Sequence, residues 1–111
     1  MDPRGYLAIV LHAHLPFVRH PEHKEFLEEN WLFEALTECY IPLLLVLDGL
    51  LRDQVDFRIS LSLTPPLTSM LEDQLLQDRY RVYLDRLVDL AQSEALRHRF
   101  NPPHRDVAEF Y

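Results

Sequence analysis

The feature that most constrains this chain is an order repeated twice: a short strand-forming run, then a helical stretch. "YLAIVL", Tyr6 to Leu11, is an unbroken apolar run rich in strand formers, the pattern of a strand covered on both faces. Further along, Phe57, Ile59, Leu61 and Leu63 alternate strictly with Arg58, Ser60, Ser62 and Thr64. That is a strand period, and "TPP" ends it because proline cannot donate to a sheet ladder. Strands alternating with helices imply right-handed crossovers and parallel pairing, so the fold class is α/β. Two parallel strands do not stand alone, since their outer edges stay unpaired and such sheets occur almost only with both faces covered. Residues 1–111 are therefore expected to be the first segment of a larger α/β domain. By themselves they should be poorly soluble, oligomeric or molten.

The segment "PFVRHPEHKEFLEEN" is polar, has no period and reads as a loop. Asn30 is placed to cap a helix that starts at Trp31, with Glu34 near its first turn. Leu32, Leu36, Cys39, Leu43, Leu47 and Leu50 recur at helical spacing and give this helix a wide apolar face. Pro42 falls inside it and should kink or divide it. Glu28, Glu29, Glu34 and Glu38 surround the helix start and read as a solvated face that complements the helix dipole. A short helix is expected around Leu67 to Gln74. A longer one should run from about Asp78 to His98, with Tyr80, Leu84, Leu87, Leu90 or Ala91, and Ala95 on one face. "NPP", Asn101 to Pro103, stops it, and the tail "HRDVAEFY" looks like the start of a further element.

Composition narrows the function classes. With 111 residues, 48% of them hydrophobic, the chain fits one small domain that buries a core. The formal net charge is -7, and the arginines are scattered among acids, which argues against nucleic acid as a partner. Cys39 is the single cysteine, so no internal disulfide forms, as suits a reducing cytoplasm. The first apolar run is followed by His-Ala-His-Leu-Pro rather than by the small residues of a signal cleavage site. "IPLLLVLDGLL", the most hydrophobic segment, is too short to span a bilayer. The expectation is a soluble, cytoplasmic chain with no membrane partner.

Two histidines close the first apolar run in "VLHAHLPF". Residues two apart on a strand share a face, so His12 and His14 project together, spaced roughly 6–7 Å along the backbone. They stand at the C-terminal end of the first strand, the edge where α/β sheets and barrels bind ligands. Three readings are open. Backbone carbonyls and loops satisfy both rings; or the pair chelates a metal, as His-x-His does in barrel zinc hydrolases; or it hydrogen-bonds a polyhydroxylated substrate. His20, His23, His98 and His104 lie in loops or at a helix end, and none has ligand spacing relative to the pair.

The third reading meets a resemblance. "GYLAIVLHAHLPFVRH", "EENWLFEALTECYIPLL" and "LSLTPPL" resemble the N-terminal part of glycoside hydrolase family 57. That family includes amylase-type enzymes, 4-α-glucanotransferases and α-1,4-glucan branching enzymes. Its first block has the form His-x-His-(Leu/Ile)-Pro-(Phe/Tyr)-Val-Arg, with which Gly5 to Arg19 agrees. Trp31 to Ala35 and Tyr40 to Leu43 match the next segment, and the likeness loosens after Pro66.

The resemblance implies an incomplete, seven-stranded (β/α) barrel, of which this chain supplies the first two β/α units. It also implies a retaining mechanism on an α-glucan, with a Glu nucleophile and an Asp acid/base about 5 Å apart. In the family both come from later strands, so no catalytic residue maps to this chain, which is expected to be inactive alone. What it implies for the site is substrate contact. His12 and His14 would line the cleft near the bond that is cut, and Trp31 would stack on a sugar ring or else pack into the core. Ser62 and Thr64, at the matching edge of the second strand, either reach the site or are ordinary strand-end hydroxyls. Arg19 would fix the first loop by pairing with a carboxylate. No metal and no cofactor is implied. The implied partners are an α-glucan of glycogen or amylose type, and the missing barrel remainder or a second copy. Two departures stand out: the loop "HPEHKEFLEEN" lacks the glycine and aromatic content of well-characterised branching enzymes, and Cys39 stands where related sequences often have Thr. The competing readings are a metal-dependent barrel hydrolase that uses the His-x-His pair, and a non-catalytic, truncated glucan-binding piece.

Overall fold

In a computed structural model the described residues, 4–99, follow the expected order of strands and helices. β1 is Val10–Ala13, α1 is Glu29–Ala35, α2 is Ile41–Arg52, β2 is Ser60–Leu63, α3 is Pro65–Glu72 and α4 is Gln74–His98. The two strands pair in parallel, with Val10 opposite Ser60, Leu11 opposite Leu61, His12 opposite Ser62 and Ala13 opposite Leu63. The chain divides into two compact units, Met1–Leu76 and Gln77–Tyr111. The expected stop at Asn101 to Pro103 and the tail beyond it lie outside the described residues.

Both strands are shorter than the sequence pattern suggests, and the cause is pairing. Phe57 N–H bonds to Val55 O at 3.0 Å, so the chain is turned just upstream of β2, and the ladder begins where Ser60 N–H reaches Ile9 O at 3.1 Å. With no partner opposite them, Tyr6 and Leu7 stand 94% and 87% exposed. The expected double-sided cover of Tyr6 to Leu11 is therefore not supplied within the described residues.

The helices differ from expectation at their ends. α1 begins at Glu29 rather than at Trp31, and Asn30 is inside it instead of capping it. Glu29, expected to be solvated, is 1% exposed. Its Oε1 accepts the backbone N–H of His20 at 3.1 Å, which gives a buried carboxylate a charge-assisted partner. As expected of Pro42, the helical stretch is divided just ahead of it, and Pro42 lies in the first turn of α2. A π turn over Leu36–Tyr40 precedes α2. Ile41 N–H bonds back to Leu36 O there, and this wider ring shifts the ladder just ahead of a residue that has no N–H to offer. α2 ends with Gln54 at φ 56, and Gln54 and Val55 N–H bond to Leu51 O and Leu50 O at 3.1 and 3.0 Å, a Schellman closure without its usual glycine. α3 and α4 each begin earlier than their apolar periods suggest. Along α4, Tyr80, Leu84, Leu87, Ala91 and Ala95 are half-buried, whereas Leu90 is exposed.

The buried core of the first unit is small: Ala13, Val18, Leu32, Phe33, Leu67, Met70 and Leu76. It joins β1, the loop after it, α1, α3 and the start of α4. No residue of α2 is buried, and Ile41, Leu44, Leu45, Val46 and Leu51 are exposed. A helix apolar on nearly every side is normally enclosed by other elements, and here it is not.

The loop after β1 is pinned at three points on this core. Val18 N–H donates to Met70 Sδ at 3.2 Å, His20 N–H to Glu29, and Arg19 Nε to Asp73 Oδ2 at 2.6 Å. Asp73 is thus the carboxylate expected for Arg19. Its other oxygen accepts Leu76 N–H at 3.1 Å and so caps α4. Partial burial pushes the Asp73 carboxyl up, but the Leu76 N–H and the Arg19 guanidinium outweigh it, and the net shift is downward from 3.8. A carboxylate lowered in the folded state stabilises it above the unfolded value and loses that contribution as pH falls through the folded one. Protection of residues 73–76 against hydrogen exchange, corrected for intrinsic rates, is therefore expected to be full above pH 3.8 and to decline at lower pH. In Asp73→Asn, which keeps a capping oxygen but no charge, the acid-dependent part should vanish.

Candidate functional site

The parallel register places His12 beside Ser62, one strand over. His12 Nδ1 and Ser62 Oγ share a hydrogen bond of 2.6 Å. One alternation further, His14 Nδ1 and Thr64 Oγ1 share one of 3.3 Å, and Thr64 N–H donates to Ala13 O at 3.2 Å to carry the pairing to this point. The two rings lie nearly parallel, 13° apart, with centroids 5.9 Å apart. Because side chains alternate across a strand, His12, His14, Ser62 and Thr64 share one face. Leu11, Ala13, Leu61 and Leu63 take the other, where Ala13 joins the core. The sequence reaches this arrangement with two matched i, i+2 pairs, His-x-His and Ser-x-Thr, each at a strand end just ahead of a proline.

Both histidines are exposed. With each Nδ1 engaged by a hydroxyl on β2, Nε2 is the ring nitrogen left to meet a ligand, and it has no protein partner among the described residues. An imidazole bonded through one nitrogen presents the other as a directional donor or acceptor. Two such groups and two hydroxyls on one face suit a ligand that carries several hydroxyls. A zinc site takes three or four ligands, and among the described residues no group of three or more His, Cys, Asp or Glu is disposed to hold a metal ion.

Trp31 lies on α1 and is 50% exposed. It makes no hydrogen bond or ring stack with the histidine pair. Ser62, expected either to reach the site or to be an ordinary strand-end hydroxyl, makes the shorter of the two inter-strand bonds. Glu29 and Asp73, which hold the following loop, carry no sequence signal beyond being acidic residues near helix starts.

Comparison with known proteins places the chain in a family. The sequence profile of glycosyl hydrolase family 57 matches residues 8–102. A 1,4-alpha-glucan branching enzyme of Thermococcus kodakarensis is 41% identical over 83 residues, 75% of this chain and 12% of that protein. The crystal structure of the alpha-amylase AmyC from Thermotoga maritima superposes with a TM-score of 0.89 at 47% identity, covering 98% of this chain and 20% of that one. A family 57 branching enzyme from Pyrococcus horikoshii gives 0.85 at 36% identity, over 96% of this chain and 20% of that one. The chain thus spans between 12% and 20% of the length of these relatives. Within that span the small parallel sheet and its helices match the family 57 structures, and no helix among the described residues is long and apolar enough to cross a membrane. With its profile matched from residue 8 to residue 102, this chain belongs to glycosyl hydrolase family 57.

Proposed function

We propose that this chain supplies the first two β/α units of an incomplete, seven-stranded (β/α) barrel that acts on α-glucans by hydrolysis or glycosyl transfer. In this reading His12, His14, Trp31 and Thr64 line the glucan cleft, and the nucleophile and the acid/base come from the remainder of the barrel. The observation that carries it is the pair of exposed imidazoles, each held through Nδ1 and open at Nε2, at the C-terminal edge of a parallel strand. That edge is where barrels assemble their sites. The exposed indole face of Trp31 suits the C–H side of a pyranose.

The barrel remainder, rather than a second copy, is the occupant proposed for α2 and the open strand edges. Relatives of this family are at least five times longer than the matched segment. The unpaired, exposed thiol of Cys39 suits a reducing compartment, the cytoplasm.

A hybrid enzyme tests the proposal, with residues 8–102 of this chain in place of the matching segment of AmyC. The expected result is a soluble hybrid that turns over amylose. A soluble, folded hybrid with no turnover contradicts it.

A further inference from the structure

We propose that Ser62 is a positioning residue for His12, holding the imidazole so that Nε2 faces the sugar. The inference rests on the reading of His12 as a glucan contact and deepens it.

The argument starts from the hydroxyl. Ser62 Oγ lies 2.6 Å from His12 Nδ1, and that nitrogen is its one protein partner among the described residues. Whichever of the two donates, the bond engages Nδ1 and leaves Nε2 without a protein partner among the described residues. An imidazole has a broad, nearly two-fold preference about its last side-chain bond. A bond to one nitrogen removes that degeneracy and settles which edge faces outward. Thr64 does the same for His14 through a longer bond of 3.3 Å, so the arrangement is repeated along the edge.

Burial does not explain the hydroxyl. Ser62 is exposed, as is every residue of β2, so its side chain is not there to satisfy a buried polar group within the described residues. Its effect is on the orientation of a neighbour.

The test is a double-mutant cycle in the hybrid enzyme, with kcat/KM on a maltooligosaccharide as the readout. Ser62→Val introduces a β-branched strand former without a hydroxyl, whereas Ser62→Thr has the same branched shape and keeps a hydroxyl. Ser62→Val is expected to lower kcat/KM roughly tenfold, as loss of an outer partner does for other oriented histidines, and Ser62→Thr to recover most of it. In a His12→Ala background, Ser62→Val should cost nothing further, because a positioning residue has nothing left to position. Equal losses from Ser62→Val in both backgrounds would overturn the proposal, as would full activity in Ser62→Val. Full activity in His12→Ala would instead remove the glucan-contact reading, and the present inference with it. Thermal unfolding of each variant, with Ser62→Ala as a second truncation, separates loss of orientation from loss of fold.

Discussion

Prepared alone, residues 1–111 are expected to associate with themselves and to lack a sharp unfolding transition. The reason is α2. Of its twelve residues none is buried, and Ile41, Leu44, Leu45, Val46 and Leu51 stand exposed. Its polar side chains, Asp48 and Arg52, pair with each other on one side and leave the rest apolar. Covering a large aliphatic side chain fully is worth about 1.5–3 kcal/mol, so leaving five of them about half uncovered forfeits on the order of 5 kcal/mol. That is comparable to the entire stability of a small domain. The outer edges of β1 and β2 add unpaired backbone groups, the usual template for association. Sedimentation velocity over a concentration series, with thermal unfolding alongside, checks this. A concentration-independent monomer with cooperative unfolding would contradict it.

The second large effect is expected at the histidines. His12→Ala or His14→Ala in the hybrid enzyme removes a directional group whose loss leaves a sugar hydroxyl unpaired. An unmade bond of that kind costs about 1–3 kcal/mol, so each substitution should lower kcat/KM roughly 10- to 100-fold. Neither change should disturb folding much, because both rings are exposed and bonded only to hydroxyls on β2. The loss is thus expected in turnover and binding rather than in yield or melting temperature.

Much of this was legible in the residues. The order of strands and helices follows from period, and the pairing of His-x-His with Ser-x-Thr follows from two strand ends that parallel packing must bring side by side. Arg19 called for a carboxylate, and Asp73 supplies it. The strand starts were not legible. The apolar run from Tyr6 has the composition of a strand, but a strand is defined by its partner, and the turn at Val55 to Phe57 denies it one before Val10. Buried Glu29 was read as solvent-facing because acids cluster at helix starts for dipole reasons. Its burial depends on a backbone N–H nine residues earlier, which no helical period reveals. Pro42 signals a kink or division of the helix, and a π turn just ahead of it does separate α1 from α2. The bond between Ser62 and His12 depends on strand register, which the sequence alone does not fix.

The most direct test of the central claim is the comparison of His12→Ala with the unsubstituted hybrid on maltooligosaccharides, measured as kcat/KM with metal content determined on the same samples. A fall of roughly tenfold or more, with folding intact and no bound metal in either protein, is the expected result. Unchanged kcat/KM, or stoichiometric zinc that is lost with His12, would contradict a sugar-facing histidine pair.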